Sequence, residues 1–508
     1  MEYSSLNDPT HSKPPLEDRV ICIVHPNENA YSETFIRNHI ERLPAKVIVL
    51  HRGSPEIQNI AGLGQFFWEN NVEAVLAEYI PTGVALMNVC EAAGLPLIVH
   101  THGEAMETVV LENEGHFYPE LFHKLAAIVA PTEFIKTQLL DLGLPLEKIQ
   151  VNTNGVDPSI FCGANPATSE PVFLAVSRLV DLKGPHLTLL AFAKAIQDFG
   201  EAHLMMVGDG VLLESCKQIT KALKIEKNVK FLGVKNPWEI AELMRSARAF
   251  LQHSIQTSDG QCEAQGVVFL EAGASGLPVI STRSGGIPEV VIDGETGFLV
   301  QEADVDAMAD RILRLIKDPL LAAQLGQAAR KRICAEFSME KSISGLWCII
   351  DTAIKQHAKQ ELISSLNLRE INLIVFPDWL QPENSLIDQL ASVILLLFKH
   401  PESDRITLLI DQSDVSDEES NLVLSTVLMK IMMEEELDDA TAPEICLLPD
   451  LSEKKWLELL PILNYRLILN QEKIAKNHSS ELSNLPELNL DELALLYSAK
   501  QSTITNLN

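Results

Sequence analysis

Short apolar runs alternate along this chain with longer stretches whose apolar residues recur at helical spacing, the pattern of βα units and parallel sheets. In the first part, Val20–His25, Val47–Leu50, Ala74–Glu78, Pro96–His100, Ala127–Ala130 and Gln150–Asn152 read as strands. Helical stretches such as Ser32–Leu43 and Thr132–Leu142 lie between them. Ser32 is placed to cap the first of these helices, and Phe35 reads as its core-facing residue. From Asn154 to Pro171, glycine, proline, asparagine and threonine crowd together without periodicity, which marks a linker.

A second alternating series follows, with strands expected at Val172–Ser177, Leu204–Val207, Val229–Leu232, Ala249–Gln252, Val279–Ser281 and Phe298–Val300. Helices over Asp304–Lys317 and Ser338–Gln356 close it. The pattern predicts an α/β protein with two doubly wound, Rossmann-like lobes facing a cleft, and such sheets bind ligands beyond the carboxyl ends of their strands. A third, smaller α/β block has strand candidates at Asn372–Phe376, Ile406–Asp411, Ile445–Leu448 and Arg466–Asn470. The expected division is a flexible start (1–18), a first lobe (19–165), a second lobe with its closing helix (166–360), an accessory acidic domain (361–476) and a tail (477–508).

Composition narrows the partners. The 508 residues are 46% apolar and 22% charged, with a formal net charge of -30. That balance disfavours nucleic acid and anionic membrane as main partners, because both reward clustered lysine and arginine. From Leu362 onward about 25 acidic residues face about 10 basic ones, a solvated acidic surface that leaves room for a basic protein partner. Asp414–Glu419 and Glu434–Asp439 are the densest acidic runs. The polar, proline-containing start reads as no signal peptide, and the apolar run Val393–Phe398 is far short of the ~20 residues of a spanning helix. Eight scattered cysteines without a C-x-x-C pair read as free thiols in a reducing cytoplasm.

Two segments carry chemistry. In Val176-Ser177-Arg178-Leu179-Val180-Asp181-Leu182-Lys183-Gly184 a strand ends and a helix starts near Gly184–Pro185, so Arg178 and Lys183 are expected at the carboxyl edge of the sheet. Two cations beside a helix N-terminus suit a diphosphate. In Glu263-Ala264-Gln265-Gly266-Val267-Val268-Phe269-Leu270-Glu271 a helix beginning near Gly266 leaves Glu263 in the preceding loop and Glu271 more than one turn in. Gly266 lets the backbone approach a ligand, and the first N–H groups of that helix face it. A loop carboxylate there can bind sugar hydroxyls, and the helix carboxylate can accept both hydroxyls of a ribose. An oxidoreductase reading fails because no G-x-G-x-x-G follows an early strand.

These segments, with Ser284-Gly285-Gly286-Ile287-Pro288-Glu289, Asn154-Gly155-Val156-Asp157 and Asp293-Gly294 through Gly297-Phe298-Leu299-Val300, resemble the retaining GT-B glycosyltransferases of family 4. Tyr31-Ser32-Glu33-Thr34-Phe35-Ile36 is similar to the colanic-acid and exopolysaccharide type. The resemblance implies that Arg178 and Lys183 neutralise the diphosphate of a nucleotide sugar, that Glu263 contacts the sugar and that Glu271 holds the ribose. It implies that Gly266, Val267 and Val268 present backbone donors to phosphate and that His102, in Thr101-His102-Gly103-Glu104, stands near the reacting centre. Ser32, Glu33 and Glu104 are the acceptor-side candidates. Two departures stand out: His25–Tyr31 contains no glycine where many members have a glycine-rich loop, and Glu104 follows Gly103 directly.

The expected activity is transfer of a sugar from a nucleotide-diphosphate sugar to a glycan or lipid-linked acceptor, with retention of configuration, in polysaccharide or glycoconjugate biosynthesis. No cofactor and no metal are expected, since neither 176–184 nor 263–271 contains an Asp-x-Asp pair. The protein is expected in the cytoplasm, with a transient association at the inner face of the membrane left open. The alternatives are an inactive protein of this fold that binds a sugar nucleotide or glycan, and an epimerase or phosphorylase of the same fold.

Overall fold

The computed structural model describes residues 19–27, 34–103, 118–197, 200–434, 442–470, 472, 473, 482, 485–490, 492 and 493. The chain divides into two compact units, Met1–Ile354 and Lys355–Asn508. The first unit contains both expected lobes.

The first lobe is a parallel sheet of β1 (Val20–His25), β2 (Lys46–His51), β3 (Ala74–Glu78), β4 (Leu97–His100), β5 (Ala127–Ala130) and β6 (Ile149–Val151). Its order is β2-β1-β3-β4-β5-β6. β3, β4 and β5 are buried along their whole length, which is why they read as unbroken apolar runs. The helix Glu133–Asp141 starts where expected, with Thr132 Oγ1 accepting from the Ile135 N–H at 3.3 Å. The helix Thr34–Arg42 lies within its expected span Ser32–Leu43, but Phe35 is only half-buried and faces a pocket. Ser32, the expected cap, lies outside the described residues.

The second lobe holds β7 (Val172–Val176), β8 (His203–Val207), β9 (Val229–Phe231), β10 (Ala249–Leu251), β11 (Val279–Thr282) and β12 (Gly297–Val300), all parallel, in the order β12-β11-β10-β7-β8-β9. Strand order reverses between β7 and β10 here, and between β1 and β3 in the first sheet. Each reversal opens a crevice at the carboxyl edge.

Chain crossings between the lobes are stitched together. Val156 N–H donates to Phe337 O at 3.0 Å and Met339 N–H to Val156 O at 2.9 Å. A Cβ at Gly155 would stand 2.7 Å from the Met339 Cα, so the neighbouring chain comes this close only against glycine. The closing helix runs over Met339–Ser365, longer than the expected Ser338–Gln356. Its Met339, Ile343, Leu346, Ile350, Ala353 and Ile354 pack with Ile21, Ile23, Leu76 and Val129 of the first lobe. The lobe expected at 166–360 therefore returns its last helix to the core of the other.

In the second unit, β13 (Ile371–Val375), β14 (Ile406–Asp411), β15 (Glu444–Leu448), β16 (Tyr465–Leu467) and β17 (Glu487–Leu488) form a parallel sheet in the order β15-β14-β13-β16-β17. Residues 487 and 488 lie in the stretch expected as a tail, yet they extend this sheet. The strand order again reverses, between β13 and β16. Here the crevice is crossed by the protein's own chain: Pro377 bridges Glu472, and Lys473 N–H donates to Phe376 O at 3.1 Å. Among the described residues no helix is long and apolar enough to cross a membrane.

Candidate active site

The two cations sit where the strand-to-helix reading puts them. After β7, Leu179 N–H donates to Asp209 O at 2.8 Å, and a 3₁₀ turn over Asp181–Lys183 leads to the helix Pro185–Ala195. Gly184 joins turn to helix at φ 51, and a Cβ there would lie 2.0 Å from the His253 carbonyl oxygen. Only glycine meets both demands. The turn directs Lys183 into the cleft, where its Nζ donates to Glu263 Oε2 at 2.5 Å. Arg178 lines the same pocket.

Glu263 is 6% exposed. Besides Lys183, its Oε2 accepts from Gln252 Nε2 at 3.2 Å, and Gln252 follows directly on β10. Its carbonyl accepts from Gly286 N–H at 2.8 Å. A Cβ at Gly285 would come within 2.1 Å of that same carbonyl oxygen. The Ser284-Gly285-Gly286 segment is thus the bed on which the Glu263 loop lies. Gly266, at φ 79, opens the helix Val267–Ser275. The N–H groups of Val267 and Val268 belong to its first turn, where no intrahelical carbonyl is available, and both residues line the pocket.

Glu271 lines the pocket from one turn further along. It is half-buried, and no side-chain hydrogen bond to it occurs among the described residues. Burial pushes its carboxyl up to about 8. A carboxyl that burial holds protonated, with no donor beside it among the described residues, can ionise when a donor arrives.

Facing them from the first lobe is His102, 9% exposed, with its Nε2 2.7 Å from Glu78 Oε2. Phe35 and Gly103 line the pocket beside it. The lobes touch through Thr132 Oγ1, which donates to Ala264 O at 2.9 Å. They also touch through Glu289, whose two oxygens accept from Glu133 N–H at 2.9 Å and Phe134 N–H at 2.8 Å. A second-lobe carboxylate thereby caps a first-lobe helix.

Arg178, Lys183, Glu263, Gly266, Val267, Val268, Glu271 and His102 therefore line one pocket. Ser32, Glu33 and Glu104 lie outside the described residues. Sequence reasoning missed Glu78, Gln252 and the part played by Glu289. The strand Ala74–Glu78 did carry a signal, a carboxylate ending a run of otherwise apolar residues. Glu78, His100 and His102 are the group among the described residues that could present three metal-ligand atoms, within 4.8 Å of one another. In the structure Glu78 instead spends both oxygens on imidazole nitrogens, those of His39 at 2.8 Å and His102 at 2.7 Å.

Two doubly wound lobes facing a shared pocket at their carboxyl edges define the GT-B fold. Residues 160–332 match the model described as "Glycosyl transferases group 1", and residues 17–160 match "Glycosyltransferase Family 4". In sequence these two stretches are therefore similar to glycosyltransferase domains. The chain is 31% identical over 231 residues to the amylovoran biosynthesis glycosyltransferase AmsK of Erwinia amylovora, covering 45% of this chain and 57% of that one. It is 28% identical over 304 residues to the putative colanic acid biosynthesis glycosyltransferase WcaL of Escherichia coli, covering 57% and 74%. A further relative is N-acetyl-alpha-D-glucosaminyl L-malate synthase of Bacillus anthracis, 36% identical over 35% of this chain and 44% of that one. The chain thus spans about half the length of several curated relatives it matches. Anabaena Alr3699/HepE, solved in complex with UDP, superposes with a TM-score of 0.57 at 19% identity, over 66% of this chain and all of that one. Sucrose-phosphate synthase of Thermosynechococcus elongatus gives 0.57 at 16%, over 66% and 98%. Both likenesses are of fold.

Proposed function

We propose that the protein transfers a sugar from a nucleotide-diphosphate sugar to a glycan or lipid-linked acceptor, with retention of configuration and without a metal, in polysaccharide biosynthesis. The observation that carries this reading is the convergence of Lys183, Arg178 and the Val267–Val268 amides on one pocket that also holds Glu271 and Glu263. As the glycosidic bond to the diphosphate breaks, negative charge grows on the leaving oxygen. Preorganised cations and helix N–H groups stabilise that charge in a site partly closed to water. Glu271 accepts the ribose hydroxyls, and Glu263 holds hydroxyls of the transferred sugar. Glu263 is not cast as a nucleophile, because Lys183 and Gln252 already engage its Oε2 and lower its reactivity. The UDP bound to HepE and the exopolysaccharide roles named for AmsK and WcaL support this reading.

The second unit is proposed as an accessory domain outside the chemistry. Its strand order is that of a doubly wound ligand-binding sheet, but its crevice is crossed by residues 472 and 473. No glycine occurs after Gly345, so its strand-to-helix turns lack the residue that lets backbone approach a phosphate. The acidic surface is left for a basic protein partner. The test of the whole reading is a panel of nucleotide sugars screened by thermal shift. The matching donor at ~100 times its Kd adds about 2.7 kcal/mol of stability. No shift with any nucleotide sugar contradicts the proposal.

A further inference from the structure

The cleft histidine rests on a carboxylate that the family motifs do not include. Glu78 ends β3 and is fully buried. Its Oε1 is 2.8 Å from His39 Nδ1, and its Oε2 is 2.7 Å from His102 Nε2. An ionised carboxylate only accepts, so both ring nitrogens facing it carry protons. Burial works to raise the Glu78 carboxyl, yet His39 and His102 together hold it well below the usual carboxylate range. A buried carboxylate this far from water persists only if such donors stay in place.

The His102 ring is enclosed as well as tethered. His100 stacks on it with centroids 4.4 Å apart at 17°, Phe35 lies at 4.1 Å, and Tyr79 meets it edge-on at 4.7 Å. Tyr79 directly follows Glu78 and has φ 74 and ψ 144, a conformation that strains a non-glycine residue. Its N–H donates to His100 O at 2.9 Å, which ties the turn to β4. Strain held in place by such contacts gathers where geometry serves a purpose.

From this geometry we infer that Glu78 is a positioning residue for glycosyl transfer: it fixes the orientation and the tautomer of His102 at the cleft. The inference rests on the glycosyltransferase reading above. With Nε2–H committed to Glu78, the ring is held in one orientation and one tautomer. An imidazole oriented by a carboxylate behind it is a general arrangement for holding one tautomer.

The experiment is ¹⁵N NMR of histidine-labelled full-length protein, with the His102 ring assigned by its loss in His102→Gln. The wild-type ring is expected as the Nε2–H tautomer. In Glu78→Gln the amide can accept or donate, so the ring resonances shift toward a tautomer mixture. In the same variant kcat falls about 10–100-fold while the KM for the donor stays within about two-fold. Glu78→Asp keeps an acceptor and recovers part of the loss. A wild-type Nδ1–H tautomer overturns the inference, and so does a folded Glu78→Gln with unchanged ring resonances and kcat. Displacement of these resonances by Zn²⁺ alone also overturns it, by making the cluster a cation site. The tautomer is read without turnover, so failure of the glycosyltransferase reading is seen separately, as absence of transfer by the wild type.

Discussion

At Lys183 a single ammonium serves two ends, the Glu263 carboxylate at 2.5 Å and the open pocket where a diphosphate would lie. Lys183→Ala therefore removes a charge from the leaving group and frees Glu263. We expect kcat to fall about 10²–10³-fold with circular dichroism unchanged, and Arg178→Ala to fall comparably. Unchanged turnover in either variant removes that residue from the site. The two glutamates should separate by ligand. Glu271→Gln loses a charge-assisted acceptor for the ribose and should weaken nucleoside diphosphate and nucleotide sugar alike, by about 1.5–3 kcal/mol. Glu263→Gln should slow transfer yet leave nucleoside diphosphate affinity nearly intact, since Lys183 is then less engaged. Calorimetry with both ligands decides, and equal weakening by the two variants breaks the assignment of roles. Glu271 also makes a pH prediction. Its carboxyl titrates near 8 in the folded chain against 4.5 when exposed, so the folded state holds the extra proton between those values. Stability from this group is present below 4.5 and is lost as pH rises toward 8. Glu271→Gln should therefore gain in Tm relative to wild type between about pH 5 and about pH 8. A constant difference across that range would show that burial does not perturb the group.

Among the elements, the helix Glu133–Asp141 shows how the cleft is held. Its first amides are capped by Glu289 from the opposite lobe, and the carboxylate also meets the positive end of the helix dipole. Glu289→Ala should loosen this docking, and small-angle scattering of the ligand-free protein should show a larger radius of gyration. An unchanged radius would mean that the Thr132–Ala264 contact and the crossing at Val156 suffice. The sheets themselves were legible because their strands are short, buried runs: β1, β3, β5 and β14 have the expected bounds. Helix starts were legible too, at Thr132, Gly184, Gly266 and Asp304, since each carries a capping or left-handed residue. Other features were hidden for physical reasons. Phe35 reads as core because apolarity does not tell a core from a pocket wall, and here its ring lies tilted against His102. Glu289 looks like a surface charge until the other lobe is in place. Glu78 reads as a strand end, because its partners His39 and His102 are remote in sequence. β17 escapes because a two-residue edge strand has no periodicity.

For the whole molecule, the proposed boundary between chemistry and accessory structure falls near the start of the second unit. Ile354 still packs in the first lobe, whereas Leu362 and Leu368 belong to the core around Phe376 and Trp456. A protein ending at Lys359 should fold and keep donor binding, and loss of donor affinity with the lobes intact would assign the second unit a part in the site. The central claim is that the cleft transfers sugar and does not merely bind it. The most direct measurement is release of nucleoside diphosphate by the purified full chain from the nucleotide sugar that stabilises it, in the presence of a glycan and lipid-linked acceptor mixture. Acceptor-dependent release is expected, and Lys183→Ala should slow it about 10²–10³-fold. Tight donor binding with no release by the wild type in any acceptor mixture would contradict it, and would make the cleft a sugar-nucleotide binding site.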